Sequence, residues 1–262
     1  MAVIPDRSWV DHGPGAAARF EELPEVYRTL QGVAEHVPLV MHCIGLSICS
    51  AELFDEEYLT HLKHWRARHR CAWLSEHLSF SRSGSGHESN AAVALPIPYD
   101  ADILRLVSER VRVVQERLGC PFLLENNVNY FAFSEQEMSE VTFLNELTRQ
   151  TGCSLLLDLH NVYTNAVNHK FDAFDFLGSL DLTRVVEVHV AGGSSLMDFH
   201  IDSHNGPPPP AVWDLLSFVV PRAPSLRGVT FEFHESSWPL LRHDGVIAQL
   251  DRAREILAVS GC

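Results

Sequence analysis

The chain is 262 residues long and 46% hydrophobic, enough for one large α/β domain with a sizeable core. Its 34 acidic residues against 20 basic ones give a net charge of −14, which argues against a nucleic-acid surface, because phosphate contacts are carried by Lys and Arg. No signal peptide or 18-residue apolar span is present, and the six cysteines (Cys43, Cys49, Cys71, Cys120, Cys153 and Cys262) form no CxxC pair, so a cytoplasmic protein with reduced thiols and no membrane partner is expected.

Met1 to Pro5 reads as the stub of a strand, and Asp6 to Ala18, rich in Gly, Pro and Asp, as a loop. Val37 to His42 is an apolar run ending on histidine, and a helix follows over Asp55 to Arg68 with Tyr58, Leu59, Leu62 and Trp65 on one face. The alternation recurs with a strand at Trp73 to His77 and a helix over Asp100 to Leu118, striped by Ile103, Leu104, Val107, Val111, Val114 and Leu118. Phe122 to Glu125 precedes a helix over Glu135 to Gln150, with Gly152 as its stop. Leu155 to Asp158 and Val185 to His189 are further strands. The run Pro207 to Pro210 is a stiff loop that sets a helix over Ala211 to Val220, and Val229 to Glu232 precedes a last helix over Gly245 to Val259. Strands alternating with helices of this length mean βαβ units and a parallel sheet. No repeat, linker or composition break divides residues 1–262, so a single domain is expected. Six strong strands fall short of the eight in a TIM-type (β/α)8 barrel, so the barrel is open or lacks its first βα unit.

Each of the six strong strands ends on His, Glu or Asp: His42, His77, Glu125, Asp158, His189 and Glu232. A strand buried on both faces should stay apolar, and an unpaired buried charge is costly. Polar groups at strand C-ends are instead where a parallel barrel builds its active site. Two motifs join them. Asp202-Ser203-His204 places two ligand types at i and i+2, on the same side of an extended segment. Asp158 to Asn161 adds an amide just past a strand end. The candidate metal ligands are therefore His42, His77, Glu125, Asp158, Asn161, His189, Asp202, His204 and Glu232. This set exceeds what one ion takes, since zinc wants about four ligands and iron about six, and it would serve two or three ions. Imidazole with carboxylate and no thiolate suits Fe, Mn or Zn. A lone histidine at a strand end is usually a hydrogen-bonded structural residue, and Glu187, His160, His200 and His234 are read that way, as supporting or unrelated groups.

The ligand order resembles that of the three-zinc site of endonuclease IV, a TIM-barrel nuclease, with Asn161 standing where that family has His. A fuller resemblance, from about Val3 onward, is to the DUF692 family, the multinuclear non-haem iron-dependent oxidases. It is carried by His42-Cys43-Ile44-Gly45-Leu46-Ser47, Ser75-Glu76-His77-Leu78-Ser79, Leu95-Pro96-Ile97-Pro98-Tyr99 and Leu123-Leu124-Glu125-Asn126. Thr151-Gly152-Cys153, the run from Leu156 to Tyr163, Glu187 to Gly192, and Asp202-Ser203-His204 complete it. The chain departs from the family pattern at His160, where Asn is common, at Glu76, where Asp is common, and at Phe233-His234. The family's first strand, with its GLR-like motif, is not complete here.

The resemblance implies an α/β, xylose-isomerase-like TIM barrel holding two or three irons, Fe(II)/Fe(III), with dioxygen as co-substrate. It implies oxidation of cysteine residues in a ribosomally made precursor peptide, as in natural-product biosynthesis, with a small leader-binding partner protein. The alternative is a zinc or manganese hydrolase or sugar isomerase on the same barrel, using metal-bound hydroxide as nucleophile. A third reading is a partner-binding protein without catalysis.

Overall fold

The computed structural model describes residues 1–51, 54–82, 90–131 and 133–259. In chain order the elements are β1 (Ala2–Val3), β2 (Trp9–Asp11), β3 (Phe20–Glu22), α1 (Pro24–Ala34), β4 (Val40–Cys43), α2 (Glu56–His69), β5 (Leu74–His77), β6 (Phe80–Arg82), β7 (Asn90–Leu95) and α3 (Ala101–Leu118). They continue as β8 (Phe122–Glu125), α4 (Glu140–Thr151), β9 (Ser154–Asp158), α5 (Leu159–His169), α6 (Ala173–Ser179), β10 (Val185–Ala191), β11 (Ser194–Leu196), β12 (Phe199–Ile201), α7 (Pro210–Val219), β13 (Gly228–Glu232) and α8 (Trp238–Val259). The chain divides into two compact units, Met1–Leu124 with Arg149–Cys153, and Glu125–Thr148 with Ser154–Cys262.

In the first unit the strands follow the order β1-β4-β5-β8, and β4 runs parallel to both β1 and β5. Met41, Cys43, Leu74, Leu123 and Leu124 are fully buried, as expected of strands covered on both faces. The stripes foreseen on α2 and α3 are core faces: Leu59, Leu62 and Trp65 of one and Val107, Val111 and Val114 of the other are buried. Both helices begin on an aspartate whose carboxylate accepts a free first-turn amide, Asp55 from Tyr58 N–H (2.9 Å) and Asp100 from Ile103 N–H (2.8 Å).

In the second unit the order is β9-β10-β13, all parallel, with His189 opposite both Asp158 and Thr230. Val185, Val188 and Val190 of β10 and Val212, Leu216 and Val219 of α7 are buried in its core. Pro209 and Pro210 do set α7 as expected, at its cap and first position, where a missing N–H costs nothing.

The stub at the N-terminus is a strand. The loop expected over Asp6 to Ala18 is not all loop: β2 and β3 pair as an antiparallel hairpin. Each strand is three residues, too short for its alternation to register, yet Trp9 is buried with its ring 4.5 Å from that of His61. The helix expected from Glu135 begins at Glu140, where Ser139 Oγ accepts Thr142 N–H (3.2 Å). The last helix begins earlier than Gly245, at Trp238, and is broken at Arg242 (φ 49°). Helices α1, α5 and α6 are further to the expected ones: α1 repeats Tyr27, Leu30 and Ala34 at helical spacing but buries only Leu30, and α5 buries polar residues beside apolar ones. The five described cysteines, Cys43, Cys49, Cys71, Cys120 and Cys153, hold free thiols, and Cys262 lies outside the described residues. Among the described residues no helix is long and apolar enough to cross a membrane.

Candidate metal centre

Seven of the nine expected ligands come together in the second unit. Glu125, Asp158 and Glu232 are the last residues of β8, β9 and β13, and His189 lies near the end of β10. Glu125, Asp158 and His189 are buried, and each offers a ligand atom within 4.8 Å of the others. His189 Nδ1 lies 3.7 Å from Glu125 Oε1 and 3.3 Å from Glu232 Oε1. Its Nε2 is 3.3 Å from Glu187 Oε1, and that carboxylate also accepts the Thr230 hydroxyl (2.8 Å). Glu187 therefore holds the far side of the imidazole, the arrangement that fixes a metal-binding histidine's orientation.

Asp158 has two roles. Its Oδ1 accepts Asn161 N–H (2.7 Å), so the strand's last residue is also the cap of α5. Its Oδ2 is buried with no hydrogen-bond partner among the described residues, and the same holds for Asn161 Oδ1. Asn126 fixes both. Its Nδ2 donates to the Asp158 carbonyl (3.0 Å), its Oδ1 accepts Asp158 N–H (2.9 Å), and its own carbonyl accepts Asn161 Nδ2 (2.9 Å). The Asn161 amide is thereby oriented with its NH2 used and its oxygen left over. Two buried oxygens without donors are costly in a finished core, and each is an atom that a bound cation would satisfy. The all-oxygen-and-imidazole donor set fits Fe, Mn or Zn.

Asp202 and His204 follow β12. His204 Nε2 is 2.9 Å from Asp202 Oδ1 and 3.7 Å from Glu232 Oε2. His204 takes a left-handed backbone (φ 49°), and its carbonyl accepts His234 N–H (2.7 Å) and the Ser237 hydroxyl (3.3 Å), which hold that conformation in place.

The charges are crowded. Burial, with the Asp202 and Glu232 carboxylates, pushes Asp158 up to about 6. Burial acts to strip the proton from His189, but Glu232, Glu187 and Glu125 outweigh it and hold the imidazole well above its ordinary range. His204 rises to about 9 against its burial because of Asp202, while His160 and His204 bring Asp202 down to about 2 despite burial. The cluster retains protons where cations would bind.

The other two expected ligands come together in the first unit, their rings 4.7 Å apart. His42 Nδ1 is 3.0 Å from Ser75 Oγ, and that hydroxyl donates to the Met41 carbonyl (3.1 Å). Ser75 therefore accepts from His42 Nδ1–H, which places the lone pair of the neutral ring on Nε2. His77 borders a cavity of about 510 Å³ lined by Trp9, Ile44, Tyr58, Glu76 and Arg82 among others. Burial pushes the Glu76 carboxyl up, and His77, whose Nδ1 is 3.5 Å away, draws it back.

Of the residues set aside in the sequence, His160 bonds Asp202 and Glu187 bonds His189, so both support the cluster. Asn126 enters the sequence reading only as the last residue of the Leu123-Leu124-Glu125-Asn126 motif, without a role of its own.

The model of the family described as the RiPP precursor modification enzyme MbnB/TglH/ChrH matches residues 9–258. The chain belongs to that family. Family members act on precursor peptides of ribosomally made, modified natural products, and the chain is an enzyme of that class. A UPF0276 protein of Rhizobium meliloti is 34% identical over 232 residues, 86% of this chain and 74% of the relative. One of an Anaeromyxobacter species is 39% identical over 193 residues, 74% of this chain and 67% of the relative. Among solved structures, an IolI protein with a bound zinc atom superposes with a TM-score of 0.58 at 12% identity, covering 91% of this chain and 86% of that one. Endonuclease IV from Thermus thermophilus gives 0.55 at 18% identity with the same coverage, and a xylose isomerase domain protein from Planctomyces limnophilus gives 0.57 at 10%, covering 95% and 88%. These likenesses show the fold, an α/β TIM-type barrel of the xylose-isomerase-like kind.

Proposed function

We propose that this enzyme is an iron- and dioxygen-dependent oxidase that modifies cysteine residues of a ribosomally synthesised precursor peptide. The observation that carries the reading is the buried Glu125, Asp158 and His189 triad, with the donorless oxygens of Asp158 and Asn161 beside it, in a chain of a precursor-modifying family. The ligands would be Glu125, Asp158, Asn161, His189, Asp202, His204 and Glu232, serving part of a set of two or three ions. His42 and His77 enter as ligands on their strand-end positions and on the order of residues in the sequence. Bound Fe(II) would supply electrons for dioxygen and a coordination position for the substrate cysteine as its thiolate, the form of sulfur that ligates metal.

The chain's own residues prepare that site. Glu187 anchors His189 through Nε2, so Nδ1 is the nitrogen turned toward Glu125 and Glu232. Asn126 and the α5 cap lock Asp158 and Asn161 with one oxygen of each reserved. Metal loading displaces the protons held by Asp158 and His189, so iron affinity rises as the pH is raised through about 6 and beyond. A small leader-binding partner protein would present the peptide, in the cytoplasm.

The test is to load the protein with iron anaerobically, count the metal by mass spectrometry, and record its Mössbauer spectrum. The loaded enzyme is then given a cysteine-containing precursor peptide with and without oxygen. Two or three irons per chain, and an oxygen-dependent mass change confined to cysteine, are expected. Turnover of a substrate by zinc- or manganese-loaded protein without oxygen would replace this reading with the hydrolase or isomerase.

A further inference from the structure

Asp202 lies on an irregular segment just past β12, where no strand ladder fixes it. Side chains do so instead. His160 Nδ1 is 3.0 Å and His204 Nε2 2.9 Å from the same oxygen, Asp202 Oδ1. The Asp202 backbone N–H donates to the Tyr130 hydroxyl (3.1 Å). Asp202 Oδ2 has no hydrogen-bond partner among the described residues.

His160 has little freedom of its own. It is 2% exposed and occupies the second position of α5, whose start is fixed by the Asp158 cap. Gly193 lies against its ring: a Cβ there would stand 2.5 Å from His160 Nε2, 2.6 Å from Cε1 and 2.6 Å from the carbonyl oxygen of Ile201, the residue before Asp202. The lack of a side chain at position 193 is what lets the imidazole reach Asp202.

We propose that His160 is a positioning residue for metal binding: wedged against Gly193 and bonded to Asp202 Oδ1, it reserves Oδ2 as the atom Asp202 offers to an ion. This rests on the reading of Asp202 as a ligand, and not on which metal binds or which reaction follows. A hydrogen bond that orients a ligating carboxylate changes metal affinity about 10- to 100-fold when removed. A merely structural His160 would change folding stability and leave that affinity alone.

The experiment compares wild type with His160→Phe, which keeps a ring without the donor, His160→Gln, which keeps a donor, and Gly193→Ala, which crowds the ring. Affinities for Fe(II), anaerobically, and for Co(II), followed by its visible absorption, are measured by chelator competition, and metal-free melting serves as the control for folding. His160→Phe is expected to weaken one ion about 10- to 100-fold, with an altered Co(II) spectrum. The double variant with Asp202→Asn should be no weaker than Asp202→Asn alone, because both changes act through one interaction. His160→Gln should recover most of the affinity, and Gly193→Ala should fall between. Wild-type affinity and spectrum in His160→Phe, or full additivity with Asp202→Asn, overturns the proposal. If His160→Phe does not fold, His160→Gln and Gly193→Ala decide it, since unchanged affinity in Gly193→Ala overturns it as well. A wild type that binds neither metal sinks both this inference and the oxidase reading. Metal binding without oxygen-dependent peptide oxidation sinks the oxidase reading alone, and the His160 comparison still stands.

Discussion

Replacing Asp158 with asparagine should make the metal-free protein more stable while weakening its hold on metal. Asp158 is 1% exposed, and burial with the Asp202 and Glu232 carboxylates moves its pKa from 3.8 to about 6. The folded state thus binds a proton between those values that the unfolded chain does not. The stability this proton contributes is complete below about pH 4 and is lost as pH rises through 6. At pH 7.5 the ionised carboxylate costs the fold about 3 kcal/mol, at 1.36 kcal/mol per unit of pKa. Asparagine carries no charge to bury and caps a helix as well as aspartate does, so Asn161 N–H keeps its acceptor. Losing a negative charge at the helix start gives back roughly 0.5–1 kcal/mol. The net gain of about 2 kcal/mol corresponds to a melting temperature about 4–8 °C higher for a chain of this size. Thermal unfolding followed by circular dichroism, in chelator from pH 4 to pH 8, would show the two proteins converging in acid and separating above pH 6. With iron added, wild type should regain stability and the variant should gain much less. A metal-free variant that melts below wild type at pH 7.5, or a difference that does not vary with pH, would refute the reasoning.

Three further outcomes are expected. Asp55→Ala removes the cap of α2 and one carboxylate of the buried Arg19 guanidinium, which keeps Asp11 and Glu57, so it should cost about 2–4 kcal/mol and lower the melting temperature by about 8 °C; a drop under about 3 °C contradicts that account. Asn126→Ala breaks two buried hydrogen bonds to the Asp158 backbone, and about 2–4 kcal/mol of stability should go with them. The same variant should bind metal about 10- to 100-fold more weakly, as read by chelator competition. Ser75→Ala takes away the acceptor of the buried His42 Nδ1–H, so metal affinity should fall about 10-fold and the metal-free protein should lose about 1–3 kcal/mol of stability.

The strand ends were the legible part of the sequence. A residue such as Glu125 closing Phe122-Leu123-Leu124 announces itself because charge is expensive wherever three apolar neighbours are buried. The helices with clean stripes, α2 and α3, were equally plain. What escaped was structure with no period to detect. The β2–β3 hairpin is too short to show alternation, and α5 hides behind His160, Asn161 and Asn165, polar residues buried for the sake of the cluster. Asn126 escaped for a related reason. Its side chain serves two backbone groups 32 residues away, and such pairing leaves no mark in the local sequence.

The proposed ligands come from two kinds of backbone. Glu125, Asp158 and His189 ride on strands whose neighbours are packed solid, whereas Asp202 and His204 ride on a loop held by a few hydrogen bonds and a left-handed turn. Selection can therefore act on the two halves at different speeds. Changes among the apolar residues that carry the strand ends, such as Leu124, Leu156 and Val188, endanger the fold itself, while changes in the 202–206 segment retune one side of the centre and leave the rest intact. In an architecture divided in this way, the packed strands would keep the proposed metal cage while the loop set the shape of what it meets.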